Sequence, residues 1–277
     1  MAEVVAAFGA SHTPLLILRG QDPAPEVRED TFSAFARMGQ AVADRGAEAL
    51  VIFGNDHLHA LFFDRHPPLA VGIAPRFDNV TSEAYLPQVE GGRPGEEALA
   101  FHLAKSLLED GFDPAFCREI GIDHSLVVPI HLMGDLPIPI VPILQNTVAP
   151  PLSPARRAYA LGVAVRRALR EYDGVERVAL LGTGAPSHWI GTPEMGRIDE
   201  EWDERVLGLL RKGESKGLSE WTQPEIDAGG NGANEIRNWI ATAAAAGGGP
   251  AEVWSYQAEA KWFTAVTVLE FPVGSPL

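Results

Sequence analysis

The stretch AFGASHTPLL (Ala7–Leu16) decides how the rest of the chain is read. Apolar residues from Val4 run to Phe8 and stop at Gly9. Ser11, His12 and Thr13 follow at once, and Pro14 forbids a simple continuation of the strand. An apolar strand that ends in Gly and then Pro turns into a loop. Loops at the carboxyl ends of strands are where α/β proteins keep their chemistry.

Working outward, short apolar runs alternate with longer amphipathic ones. Strands are expected at Glu3–Phe8, Ala49–Phe53, Leu69–Ile73, Ile138–Leu144, Val175–Leu181, Glu252–Tyr256 and Thr264–Phe271. Helices are expected at Val27–Arg45, Glu96–Glu109, Ile198–Leu210 and Ala233–Ala245, and from a Ser153 cap with Pro154 first through Ala168. This alternation predicts a layered α/β/α fold on a central mixed, mostly parallel sheet, with the last two strands close enough to pair antiparallel. Residues 1–277 read as one catalytic domain. Ala74–Pro94, rich in Gly and Pro, reads as a mobile loop or lid, and PVGSPL (Pro272–Leu277) as a frayed tail.

Bulk properties narrow the class. A net charge of −15 gives no field that attracts nucleic acid or an anionic membrane. The single Cys117 excludes an internal disulfide and a cysteine zinc cage, and its strand-like PAFCRE setting makes it structural. There is no basic leader and no apolar run of about 20 residues. A cytoplasmic protein is expected.

The eight histidines carry the functional signal. His12 follows the first strand, His57 follows ALVIFGND (Ala49–Asp56), and His188 follows VALLGTGAPS (Val178–Ser187). Three strand ends can thus face one crevice. His124, in IDHSLVVPIHLM (Ile122–Met133), either faces the same end or merely starts a helix capped by Asp123; His131 reads as a core or helix-face residue. His59, two residues beyond His57, is a rival for its role. His66 and His102 read as surface or packing residues.

GTGAPSHWIG (Gly182–Gly191) matches neither a nucleophile elbow nor a dinucleotide fingerprint. Two histidines and one carboxylate on one face form the facial triad of non-haem Fe(II) oxygenases. Asp56, Asp123 and Glu235 are the carboxylate candidates. Glu235 sits in GGNGANEIRNW (Gly229–Trp239), whose glycines let the backbone approach something closely; on spacing alone it reads better as an ordinary first-turn glutamate favoured by the helix dipole.

SHTP, GNDH, IDHSLVVPIHLM, GTGAPSHWIG, DEEWDERVL and GNGANEIRNW, in that order from Ser11 to Trp239, resemble the class III extradiol ring-cleaving dioxygenases, the group typified by the β subunit of protocatechuate 4,5-dioxygenase. The resemblance implies that His12, His57 and Glu235 ligate a single Fe(II). It further implies that His188 is the acid/base histidine, and that His124 stands near the hydroxyls of a catecholic substrate, with O2 as co-substrate. KWFTA (Lys261–Ala265) falls where that family lines its pocket: Trp262 or Phe263 suits an aromatic wall and Lys261 a substrate carboxylate, although on the residues alone each reads as plain packing or a solvated charge. His59 is carried as a further substrate-side residue. No segment resembles the type enzyme's small α subunit, so the expected assembly is a homo-oligomer or a pairing with such a subunit. Two rival readings share the site: a non-catalytic member of the fold, and a zinc-dependent hydrolase.

Overall fold

The computed structural model describes residues 1–274. Its strands are β1 (Glu3–Ala10), β2 (Ala49–Gly54), β3 (Leu69–Gly72), β4 (Arg76–Phe77), β5 (Arg93–Pro94), β6 (Ala115–Cys117), β7 (Ile140–Gln145), β8 (Arg177–Thr183), β9 (Glu252–Glu259) and β10 (Thr264–Glu270). The helices are α1 (Leu15–Leu18), α2 (Pro25–Asp44), α3 (Glu97–Glu109), α4 (His124–Leu132), α5 (Ala155–Arg170), α6 (Glu200–Arg211), α7 (Ser215–Ser219), α8 (Gln223–Asp227) and α9 (Ile236–Ala246).

Eight strands form one sheet in the order β6-β3-β7-β2-β8-β1-β10-β9. The central four, β7, β2, β8 and β1, are mutually parallel. β3 joins β7 antiparallel, and the β9–β10 hairpin joins β1 antiparallel, as the closeness of the last two strands predicts.

The central strands are buried on both faces, as parallel strands covered by helices must be. Alternation divides each between two cores: Val51 and Phe53 of β2 face one side, Leu50 and Ile52 the other. The first core is closed by α3, α5, α6 and α9, the second by α1, α2 and α4. The layers are therefore α/β/α.

Departures at element ends follow from capping. Pro154 is itself the cap of α5, so that helix starts one residue later than expected. Asp199 accepts the Trp202 N–H and starts α6 at Glu200. The predicted Ala233 helix opens instead as a 3-10 turn, Gly232–Glu235, leading into α9. The expected loop at 74–94 is tied down: β4 pairs with β5, Phe77, Val80 and Leu86 are buried, and Arg93 donates to Asp135 at 2.7 Å. Of the expected tail, Pro272 to Gly274 are exposed and Ser275 to Leu277 lie outside the described residues.

Register sets up the site. Ala10 pairs with Thr183 and Phe53 with Gly182, so β1, β8 and β2 end side by side. The chain leaves each strand on the same edge.

Candidate active site

Each strand end presents its side chain through a local device. After β1, Ser11 is pinned to β10: its N–H donates to the Thr267 carbonyl and its Oγ accepts the Thr267 N–H, both at 2.9 Å. This aims His12, buried at 3% exposure, along the strand end. After β2, Asp56 accepts the N–H groups of His59, Ala60 and Leu61 and so folds the loop. Asp123 caps α4 through the Ser125 N–H, and its second oxygen accepts both the N–H and the Nδ1–H of His57 at 2.8 Å. The Nε2 of His57 is thereby turned inward. Of the three carboxylate candidates, Asp56 shapes the loop, Asp123 orients a histidine and Glu235 enters the centre.

Glu235 Oε1 lies 3.2 Å from His12 Nε2 and 3.0 Å from His57 Nε2. Its Oε2 accepts the Ala185 N–H at 3.1 Å, just past β8. Cis ligands on a metal with bonds of about 2.1 Å stand about 3 Å apart, so the spacing of this donor set fits a metal ion. At His57 the surrounding hydrogen bonds fit as well, while His12 Nδ1 is buried without a partner. A ligating imidazole needs its other nitrogen fixed, as Asp123 does for His57.

His188 follows β8 on a clamped loop. Its Nδ1–H donates to the Pro186 carbonyl at 2.8 Å, leaving Nε2 as the acceptor, 3.6 Å from Glu235 Oε2. The glycines of GGNGANE are the close-approach positions expected of them. A Cβ on Gly230 would lie 2.1 Å from the His188 carbonyl oxygen, and one on Gly232 would lie 2.0 Å from His188 Nε2. His124 completes the group, its ring stacked on His57 at 4.0 Å between centroids.

Electrostatics follow from burial and these pairings. Burial lowers His12 and His188, favouring neutral rings with a lone pair to offer. His57 differs: burial opposes its protonation, but Asp123 and Glu235 on its two nitrogens raise it to about 10. Burial would also raise Glu235, yet His12, His57 and His188 hold it well below the usual carboxylate range. Two buried carboxylates facing these imidazoles call for positive charge at this point, which a divalent cation supplies.

A cavity of about 370 Å³ opens over the group, walled by Trp189, Ile190, Met195, Trp262 and Phe263. A larger one, about 800 Å³, shares only Trp189 with it and contains no histidine, so size is a poor guide here. The structure brings His12, His57, His124, His188, Glu235 and Trp262 together at this cavity. It does not bring Lys261, whose Nζ donates to the Asp22 carbonyl at 2.7 Å on the surface. His59 stands behind His124, with its Nδ1 paired to Ser82 Oγ at 2.7 Å. His131 pairs with Asp135 on the helix face, and His102 donates to the Ala168 carbonyl.

Three contributors escaped the sequence reading. Glu83 reaches His124 from the middle of the 74–94 segment. Asn55 approaches Glu235 at 3.4 Å and is held by Asn238 at 3.1 Å. Asp203, fully buried, accepts the Ser187 N–H at 2.6 Å and the Tyr256 O–H at 2.7 Å beneath the His188 loop. Asn55 lies within the GNDH stretch and Asp203 within DEEWDERVL, so each stood in a stretch the sequence reading had marked; Glu83 carried no such signal.

Fold and site together define an α/β enzyme whose chemistry rests on a histidine and carboxylate cluster at the carboxyl ends of its central strands. The chain belongs to the LigB family: residues 6–268 match the catalytic LigB subunit of aromatic ring-opening dioxygenase. A relative from Xanthobacter autotrophicus, 30% identical over 94% of this chain and 96% of its own, is named 2,3-dihydroxyphenylpropionate/2,3-dihydroxicinnamic acid 1,2-dioxygenase. One from a Mycobacterium species bears the same name, at 30% identity over 88% of this chain and 90% of its own. The fold also matches the crystal structure of an uncharacterized Escherichia coli K12 protein, with a TM-score of 0.60 and 16% identity over 96% of this chain and 99% of that one. The protein is an extradiol aromatic ring-opening dioxygenase.

Proposed function

We propose that His12, His57 and Glu235 hold one Fe(II), and that the chain, acting as one catalytic domain, inserts both atoms of O2 into a catechol-type ring and opens it beside the diol. One observation carries this reading: a single glutamate oxygen sits 3.2 and 3.0 Å from two histidine nitrogens that follow β1 and β2, the two strands flanking β8. Three protein ligands leave coordination positions for both diol oxygens and for O2. Fe(II) bound there supplies Lewis acidity toward the diol and a path for electrons from ring to O2.

The chain's residues do the rest. His188 Nε2, with its other nitrogen committed to Pro186, accepts the remaining diol proton and returns it to the departing oxygen. His124 orients the second hydroxyl from the opposite side. Trp189, Trp262 and Phe263 enclose the flat ring and exclude water.

The names of the relatives point to a catechol bearing a short carboxylated side chain, and 2-aminophenols remain in the same chemical class. Among the described residues no lysine or arginine lines the cavity, so a side-chain carboxylate would lie toward the mouth. Ile190 and Met195 at that mouth are 48% and 51% exposed. Closure by a second copy or by a small α-type subunit is the assembly this reading calls for. A cytoplasmic setting suits the reading, and among the described residues no helix is long and apolar enough to cross a membrane.

The test is oxygen uptake by anaerobically Fe(II)-loaded protein against a panel of catechols and 2-aminophenols. Stoichiometric uptake with a new visible absorption band is the expected result. No uptake by iron-replete protein, alone or with its copurifying partners, would overturn the reading; zinc-dependent hydrolysis without O2 would replace it.

A further inference from the structure

The 74–94 segment does more than cross the sheet edge. Between its paired strands, the 3-10 turn Thr81–Glu83 buries one carboxylate, Glu83, at 2% exposure. Among the described residues no lysine or arginine pairs with it. Both of its oxygens are instead taken by one histidine. Oε2 accepts the His124 N–H at 2.6 Å, and Oε1 accepts the His124 Nδ1–H at 2.5 Å. Oε1 also lies 3.2 Å from His59 Nε2 and receives the Tyr85 hydroxyl at 3.3 Å.

The same grip occurs next door. Asp123 takes the N–H and the Nδ1–H of His57, and the two gripped rings stack within 21° of parallel. Stacking alone leaves the His124 ring free to flip. A flip would exchange Nδ1 with Cδ2 and Nε2 with Cε1, turning carbon toward the cavity. A carboxylate that holds main chain and ring together selects one flip state and one protonated nitrogen.

We propose that Glu83 is the positioning residue for His124: it fixes the ring with Nδ1–H inward and Nε2 toward the cavity, and so ties an active-site histidine to the 74–94 segment. The segment is anchored on either side of Glu83, by the β4–β5 pair and by the bridge from Asn79 to Ile122, immediately before Asp123. Any shift of that segment therefore moves His124. The consequence for turnover rests on the dioxygenase reading; the consequence for the ring does not.

The experiment has two arms. In metal-free protein with 15N-labelled histidine, long-range 1H–15N spectra assigned with His124→Phe should show a His124 Nδ1–H that exchanges slowly. Glu83→Leu should abolish it, and Glu83→Gln, with one acceptor for two donors, should weaken it. In the Fe(II)-loaded enzyme, Glu83→Leu should lower kcat about 10²-fold, the loss that a misplacement of about 1 Å brings. KM should change less than about threefold and iron content not at all. In a His124→Phe background the same substitution should cost nothing further, because a residue that acts only through its partner is silent once the partner is gone. An unchanged His124 signal in both variants, or a full loss of kcat in the His124→Phe background, would overturn the proposal. If wild-type protein turns over no catechol, the dioxygenase reading fails, and the spectra alone decide whether Glu83 fixes His124.

Discussion

Gly232→Ala is the sharpest perturbation this site permits. Gly232 has no left-handed backbone, unlike Gly230 with φ of 103°, so an L residue suits its conformation and only space is at issue. The added methyl would meet His188 Nε2 at 2.0 Å, Cδ2 at 2.2 Å and Cε1 at 2.5 Å. An ordinary contact needs about 3.5 Å, so ring and loop must separate by about 1.5 Å.

The ring has little freedom to yield. Its Nδ1–H is bound to Pro186, its N–H to Gly229 at 2.9 Å, and its carbonyl accepts the Gly232 N–H at 3.2 Å. Overpacking of this kind costs about 1–3 kcal/mol of stability. Displacing an acid/base group by about 1 Å costs about 10² in rate. We expect kcat to fall about 10²-fold and not below the level of His188→Phe, which should itself lose about 10²–10⁴. Iron content should hold, since Glu235, at the far end of the 3-10 turn from Gly232, is held separately by the Ala185 N–H. Steady-state oxygen uptake with parallel iron analysis reads both quantities. Turnover within about threefold of wild type in a folded, iron-loaded Gly232→Ala protein would refute the role of His188 Nε2; loss of iron would show that the loop moved instead of the ring.

The remaining predictions probe separate parts of the structure. Glu235→Ala should abolish stoichiometric iron binding, read by metal analysis after anaerobic loading; a fully loaded, active variant would mean that another carboxylate is the ligand. Burial raises Asp203 from its ordinary 3.8 to about 6, against the opposing hydrogen bonds of Ser187 and Tyr256. The folded state then holds the extra proton between about pH 4 and 6, so stability falls as pH rises through that window, by on the order of 3 kcal/mol. Asp203→Asn should flatten that slope in urea titrations at pH 4.5 and 7, and an unchanged slope would discard the assignment. Lys261→Met should leave KM for a carboxylated catechol within about twofold, because the ammonium donates to the Asp22 main-chain carbonyl on the surface; a tenfold rise confined to carboxylated substrates would put Lys261 back in the pocket.

Which parts of this were legible in the sequence follows from how far apart the interacting residues lie. Strand ends are local: a run of alternating or continuous apolar residues, then Gly, then a polar cluster, placed His12, His57 and His188 on one edge without any tertiary information. The cap at Asp123 was local too, though its second duty of gripping His57, 66 residues away, was not. Glu235 shows the limit. The histidines it touches stand 223 and 178 residues away, and in the sequence it has the spacing of any first-turn glutamate. Only the resemblance singled it out. The glycines before it announced a close approach but could not say to what; the structure answers with His188 and with the Trp202 ring, 2.6 Å from a Cβ on Gly229.

Glu83 and Lys261 show how little the neighbours of a residue say about the direction it faces. Glu83 lies in a Gly/Pro-rich stretch that reads as a mobile loop or lid and gives a carboxylate there no signal, while Lys261 stands beside two aromatics where the resembled family lines its pocket. The structure buries Glu83 and leaves Lys261 exposed. A two-residue strand pair and three buried apolar side chains are enough to turn the 74–94 segment inward and bury its carboxylate, while the 3-10 turn at Ala260–Trp262 sends Trp262 to the cavity and Lys261 to the surface. The chemistry of a side chain is written in the sequence; the direction it faces is set by packing that few local residues reveal. Loop residues in this fold are therefore best assigned by which histidine they touch.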